Sequence, residues 1–173
     1  MRDGQVQLYT GDGKGKTTAA VGQTLRALEE GMAVLFVQFM KSVPTGEVEM
    51  LRRCGGERVR ILRRWDDSFI IGEASEKQVE LGRSLWQDTL DTLKNGSWDL
   101  LVLDEICVAL HYRLVEEERV LEFLRNRPET LEVVLTGRDA SEKLVDAADL
   151  VTEMRKIKHY YDRGVEARKG IEY

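Results

Sequence analysis

The stretch "YTGDGKGKTTAA", residues 9–20, decides the fold. It departs by one residue from the phosphate-loop pattern G-x-x-x-x-G-K-[ST]. Gly15, Lys16 and Thr17 fill the last three places, but Thr10 stands where the first glycine belongs. The surroundings support the motif. "VQLY" (6–9) reads as a strand that runs into Gly11, Gly13 and Gly15, and "TTAAVGQTLRALEEG" follows as a helix, with Val21, Leu25 and Leu28 on one face and Gly31 as its stop. Backbone N–H groups and the positive end of a helix then converge on one spot, which suits a phosphate. Lys16 brings a mobile charge to phosphate oxygens, and the Thr17 hydroxyl is set to bind a magnesium ion. Asp12 puts a negative charge in a loop meant for anions. Its side chain either turns outward or meets a cation, with Lys14 the nearest.

Outward from the loop, strands and helices alternate. "AVLFVQFM" (33–40) and "DLLVLDE" (99–105) are continuous apolar runs, as expected of parallel strands buried on both faces. "PTGEVEMLRRCGG" (44–56) reads as a turn and short helix, and "RVRIL" near 59–63 as a strand. Residues 75–96 form a long helix that opens with a capping box, Ser75 with Gln78. Residues 115–128 are an amphipathic helix and "LEVVLTGR" (131–138) a strand and loop. "SEKLVDAA" (141–148) is a short helix capped by Ser141, and residues 149–157 are a last strand and turn. This alternation predicts one α/β domain over 1–173, a mostly parallel sheet with right-handed crossovers and helices on both faces.

Parallel sheets bind ligands outside the carboxyl ends of their strands, so the loop, Asp104 and Glu105 are expected on one edge. An acid there completes a metal site opposite the loop threonine. Asp104 and Glu105 point to opposite faces, so one approaches the metal and the other orients a neighbour. Arg138, after "VVLTG", falls on the same edge and either grips a triphosphate in bidentate fashion or is a surface arginine. Arg26, farther along the first helix, is either a cover for phosphate or ribose or a surface arginine. Thr10 either ends its strand or shapes the loop for an unusual nucleotide pose.

Composition narrows the setting. A net charge of −5 gives no global attraction to nucleic acid or anionic lipid. Cys54 and Cys107 form no C-x-x-C pair and no disulfide framework. No apolar run approaches the roughly 20 residues of a membrane span. "MRDGQVQLYT" lacks a signal-peptide core, so a cytoplasmic location is expected.

Taken together, "TGDGKGKTTAA", "VLFVQFMK", "DLLVLDEICVAL", "VVLTGRDASEKLVDAADLVTEMR" and "IKHYYDRGVEARKGIEY" resemble the P-loop ATP:corrinoid adenosyltransferases, in one order over nearly the whole chain. The resemblance implies a P-loop NTPase-like, RecA-like fold. It implies that a corrinoid reduced to Co(I) attacks the 5′ carbon of ATP and inorganic triphosphate leaves, with Mg2+ as cofactor. The family holds its nucleotide in the reverse sense to other P-loop enzymes, which gives Thr10 a purpose. The ATP site is expected to comprise Thr10, Gly11, Asp12, Gly13, Lys14, Gly15, Lys16, Thr17, Thr18, Arg26 and Arg138, with Lys16 and Arg138 stabilising the departing triphosphate. Thr17, Asp104 and Glu105 are the expected metal residues. Co(I) is itself the nucleophile, so no general base is needed, and His111 and His159 are expected as structural or pocket-lining groups, His159 on the corrinoid side.

One segment departs from the family. Where members carry a G-F-T-W stretch that helps cobalt lose its lower ligand, this sequence reads "RRWDDSFIIGEAS" (63–75), and Trp65 and Phe69 are the candidates for that work. No counterpart is expected here of the N-terminal extension that some members fold over the site. A homodimer and an electron donor such as a flavoprotein are likewise implied by the resemblance. The rival readings are a small P-loop ATPase or kinase, which yields ADP, and a nucleotide-dependent switch, which binds without turnover.

Overall fold

The structure is a computed structural model that describes residues 3–43, 45–66 and 68–172. Pro44, read above as part of a turn, lies outside the described residues, as do Asp67 of the Trp65–Phe69 loop and the final Tyr173.

Six strands form one sheet: β1 (Val6–Thr10), β2 (Val34–Gln38), β3 (Val59–Arg63), β4 (Leu100–Asp104), β5 (Glu132–Thr136) and β6 (Leu150–Glu153). Their order is β3-β2-β4-β5-β1-β6, and every neighbouring pair is parallel. The expected mostly parallel sheet is therefore parallel throughout its described strands. β2, β4 and β5 are buried at every position, as continuous apolar runs require when both faces are covered.

The two faces divide along the period-two alternation of the strands. Val34, Phe36, Leu100, Val102 and Val134 pack with Ala20, Ala27 and Leu28 of α1 (Lys16–Glu29) and Leu51 of α2 (Gly46–Gly55). The alternate residues Leu8, Leu35, Val37, Leu101, Leu103, Val133 and Leu135 pack with α3 (Glu76–Lys94), α4 (Ile106–His111), α5 (Glu117–Asn126) and α6 (Glu142–Ala147). α3 carries the expected capping box between Ser75 and Gln78, and Ser141 caps α6.

α4 has no counterpart in the sequence reading. "ICVALH" continues the apolar run of β4 and gives no sign of a new element. The break is conformational: Glu105 takes a left-handed backbone, φ 62°, which turns the chain out of β4 and into α4.

Candidate active site

The register brings the polar strand ends into one row. Gln38 pairs with Asp104 across β2 and β4, and Tyr9 pairs with Thr136 across β1 and β5. β5 thus separates the loop strand β1 from the acid strand β4 and supplies a threonine between them.

The glycine loop is pinned by the end of β6. The Met154 N–H donates to the Thr10 carbonyl at 2.8 Å, and the Gly13 N–H donates to the Met154 carbonyl at 2.6 Å. Side chains are excluded there, since a Cβ on Gly11 or Gly13 would lie 2.6 Å from the Met154 oxygen. Gly11 and Gly15 also need positive φ, 94° and 123°. Thr10 needs neither. It is the last residue of β1, pairs with Glu153 of β6, and lies outside the cavity.

α1 starts at Lys16 with Gly15 as its N-cap, no capping side chain and no acid in its first turn. Its free N–H groups and helix dipole therefore face the cavity without a partner of their own. Lys16, almost fully buried, donates to the carbonyls of Gly11 at 2.5 Å and Gly13 at 2.7 Å. Burial pushes its ammonium pKa down, and nearby Glu105 opposes that shift. A phosphate entering the loop offers this ammonium oxygens of opposite charge in place of neutral carbonyls.

Asp104 is 0% exposed and all its acceptor positions are used. Oδ1 accepts from the hydroxyls of Thr17 and Thr136, each at 2.8 Å, and Oδ2 accepts from Gln38 Nε2 at 3.1 Å and Lys41 Nζ at 2.9 Å. Thr136 Oγ1 in turn accepts the backbone N–H of Glu105 at 2.9 Å, which fixes the turn into α4. The Glu105 carboxyl is raised above its ordinary value, first by burial and then by the charge of Asp104.

This donor set suits a hard divalent cation: a threonine hydroxyl and carboxylate oxygens with a phosphate nearby are what magnesium prefers. Two observations support the fit. The Gln38 Oε1 beside Asp104 is buried and has no hydrogen-bond partner among the described residues, and a positive charge already sits there as the Lys41 ammonium. Among the described residues no group of three or more His, Cys, Asp or Glu could hold a metal ion.

One cavity of about 510 Å³ gathers loop residues Asp12 to Thr18, Lys41, Glu47, Glu105, Arg138, His159 and the tail at Gly170–Glu172. The structure therefore brings Asp12, Gly13, Lys14, Gly15, Lys16, Thr17, Thr18, Glu105, Arg138 and His159 together, with Asp104 just behind them. Lys14 does not meet Asp12; it donates to the Ile171 carbonyl at 2.8 Å and lies 3.8 Å from Glu172, tying the tail to the loop. His159 Nδ1 accepts the Tyr161 N–H and caps a short helical turn.

Thr10, Gly11, Arg26, Trp65 and Phe69 do not line this cavity. Arg26 is exposed on α1. Trp65 packs against the core and donates to the Ser68 carbonyl at 3.0 Å, whereas Phe69 and Ile71 are 88% and 91% exposed. The two aromatics thus face different surroundings.

Sequence reading missed Gln38, Lys41 and Thr136. The rule that found Asp104 also reaches them, because all three stand at or just beyond the carboxyl ends of parallel strands. Cys107 lies close to the site, and burial pushes its thiol up to about 12, which favours the neutral thiol.

A glycine loop feeding an uncapped helix, with a buried acid two strands away that accepts from the loop threonine, defines a P-loop nucleotide-binding protein. The fold agrees with the crystal structure of the flagellar accessory protein FlaH from Methanocaldococcus jannaschii, at a TM-score of 0.56 and 10% identity over 88% of this chain and 72% of that one. The chain belongs to the ATP:corrinoid adenosyltransferase BtuR/CobO/CobP family, whose model matches residues 2–173. It is 36% identical to the corrinoid adenosyltransferase of Escherichia coli K12 over 98% of this chain and 86% of that one. It is 34% identical to the corrinoid adenosyltransferase of a Sinorhizobium species, over 98% and 80%.

Proposed function

We propose that this protein, acting through one nucleotide-binding domain, transfers the 5′-deoxyadenosyl group of ATP to the Co(I) centre of a reduced corrinoid and releases inorganic triphosphate. Family membership carries the substrates. The observation that carries the chemistry is the open N-terminus of α1, which joins Lys16, Thr17 and Arg138 in one cavity.

The triphosphate rests on the loop N–H groups and the first turn of α1. Lys16 leaves the Gly11 and Gly13 carbonyls for phosphate oxygens, and Arg138 reaches in from the rim. The cobalt electron pair forms the Co–C bond while the bond from the 5′ carbon to the triphosphate oxygen breaks. The bonding pair leaves with the triphosphate, so charge grows on the group that these cations face. Thr17, Asp104 and Glu105 would hold a magnesium ion, which when bound would supply further positive charge to that leaving group. No proton moves at the reacting carbon, so Glu105 and His159 have no acid–base duty in this step.

The remaining roles extend the family likeness: the 5′ carbon faces the cavity mouth, His159, Trp65 and Phe69 serve the corrinoid side, and an electron donor such as a flavoprotein delivers Co(I). The enzyme works as a cytoplasmic homodimer. The absence of any helix long and apolar enough to cross a membrane among the described residues is compatible with that location. Phosphorus NMR of a reaction with Mg-ATP and reduced cobalamin tests the reading. Inorganic triphosphate that forms only when the corrinoid is present supports it; ADP and phosphate formed without corrinoid contradict it.

A further inference from the structure

Lys41 stands just past β2, in a place no phosphate-loop pattern describes. The residue before it, Met40, has a left-handed backbone with φ 53°, an uncommon state for a side chain of this size. After that turn the Lys41 ammonium lies 2.9 Å from Asp104 Oδ2 and 3.5 Å from Thr17 Oγ1. It therefore touches two of the residues that would hold a divalent cation. Its side chain is 26% exposed and lines the same cavity as Lys16, while Asp104 is wholly buried. Gln38 Nε2 already binds the same carboxylate oxygen, so the ammonium fills the last acceptor position.

A lysine ammonium and a hydrated divalent ion cannot share that position. A flexible four-carbon stem, unlike an arginine fork, lets the charge swing without moving backbone. We propose that Lys41 is an internal stand-in for the divalent cation. Its ammonium holds the Asp104–Thr17 position while the site is free of nucleotide, then passes to the triphosphate when metal and nucleotide enter together. The inference rests on the adenosyltransferase reading for its nucleotide. Its consequence is ordered use of the metal: the free ion is kept out, and the buried carboxylate is never left without a positive neighbour. It also gives the leaving triphosphate a third protein cation, beside Lys16 and Arg138.

The test uses the full chain without corrinoid, so that binding is read and turnover is not. Manganese is titrated into wild type and Lys41→Met, with free Mn2+ followed by electron paramagnetic resonance. ATP is titrated calorimetrically, once in EDTA and once with magnesium. Lys41→Met is expected to bind Mn2+ without nucleotide about tenfold more tightly than wild type, and to bind metal-free ATP about tenfold more weakly, the scale of one charge-assisted contact. Equal affinities of the two proteins in both titrations overturn the proposal and reduce Lys41 to a neutralising partner of Asp104.

Labelled wild type, with Lys41→Arg for assignment, gives a second reading should Lys41→Met not fold. In lysine-labelled protein, with the Lys41 signal identified by its loss in Lys41→Arg, Mg-ATP is expected to shift the ammonium resonance and magnesium alone to leave it in place. A resonance unmoved by Mg-ATP overturns the proposal. Should wild type bind no Mg-ATP, the functional reading itself fails and this inference with it. Binding by wild type with no difference in the variant sinks the inference alone.

Discussion

Thr10 shows how one residue can look like a defect in a motif and be explained by its neighbours. The phosphate-loop pattern asks for glycine where the chain leaves its strand. Here the ladder to β6 runs one step further, with Thr10 opposite Glu153 and its carbonyl bonded to Met154, so positive φ begins only at Gly11. Thr10→Gly is therefore expected to lower stability by about 0.5–1 kcal/mol through backbone entropy, with ATP affinity by calorimetry unchanged. A marked change in ATP affinity would instead favour a role for Thr10 in the nucleotide's pose.

Glu105 gives a second expectation at this scale. Burial and the Asp104 charge raise its carboxyl pKa, so the native state holds that proton more tightly than the unfolded chain. The stability linked to it is present at low pH and is lost as pH rises through the raised value. Glu105→Gln is expected to raise the melting temperature at pH 7, to show little gain near pH 4, and to lower transfer; paired thermal melts across pH and an activity assay check both. The two acids of "DE" were legible in the sequence as site residues. Their division of labour was not, because it depends on the left-handed turn at Glu105 and on Thr136, which arrives from a strand some thirty residues later.

Among the elements, the β1–α1 loop was legible because its glycines, lysine and threonine lie close together in sequence. What holds the loop was not, because the restraint comes from the Met154 backbone, and a main-chain carbonyl leaves no residue signature. Gly13→Ala tests the restraint. Its new Cβ would sit 2.6 Å from a backbone oxygen, so the loop or the end of β6 must move. A loss of about 1–3 kcal/mol in thermal or urea unfolding is expected for such overpacking, with ATP affinity down at least tenfold by calorimetry. Unchanged binding would mean that loop and strand end move freely together. α4 was hidden for a different reason. Its apolar residues read as more of β4, and only a backbone torsion separates the two elements.

At the scale of the molecule, the parallel sheet followed from strand runs that show no polar face, and its carboxyl edge followed from the sheet. The aromatic segment is where that logic stops. Its side chains divide between the core and open solvent, and nothing local in the sequence assigns them. β6 closes one edge of the sheet with all four residues exposed, including Leu150 at 45% and Val151 at 42%. An apolar open edge of this kind invites pairing. Light scattering is expected to return twice the chain mass, and Val151→Lys to shift the population toward monomer. A monomeric wild type would count against the proposed dimer.

The central claim is that ATP gives up its adenosyl end and not a phosphoryl group. The most direct measurement mixes the protein with Mg-ATP carrying a label at the 5′ carbon and with chemically reduced cobalamin, then follows the visible spectrum and the label together. The account predicts the spectrum of an alkylcobalamin that carries the label, with inorganic triphosphate formed in equal amount. Accumulating ADP, with the label still on nucleotide and no cobalt–carbon product, would contradict it.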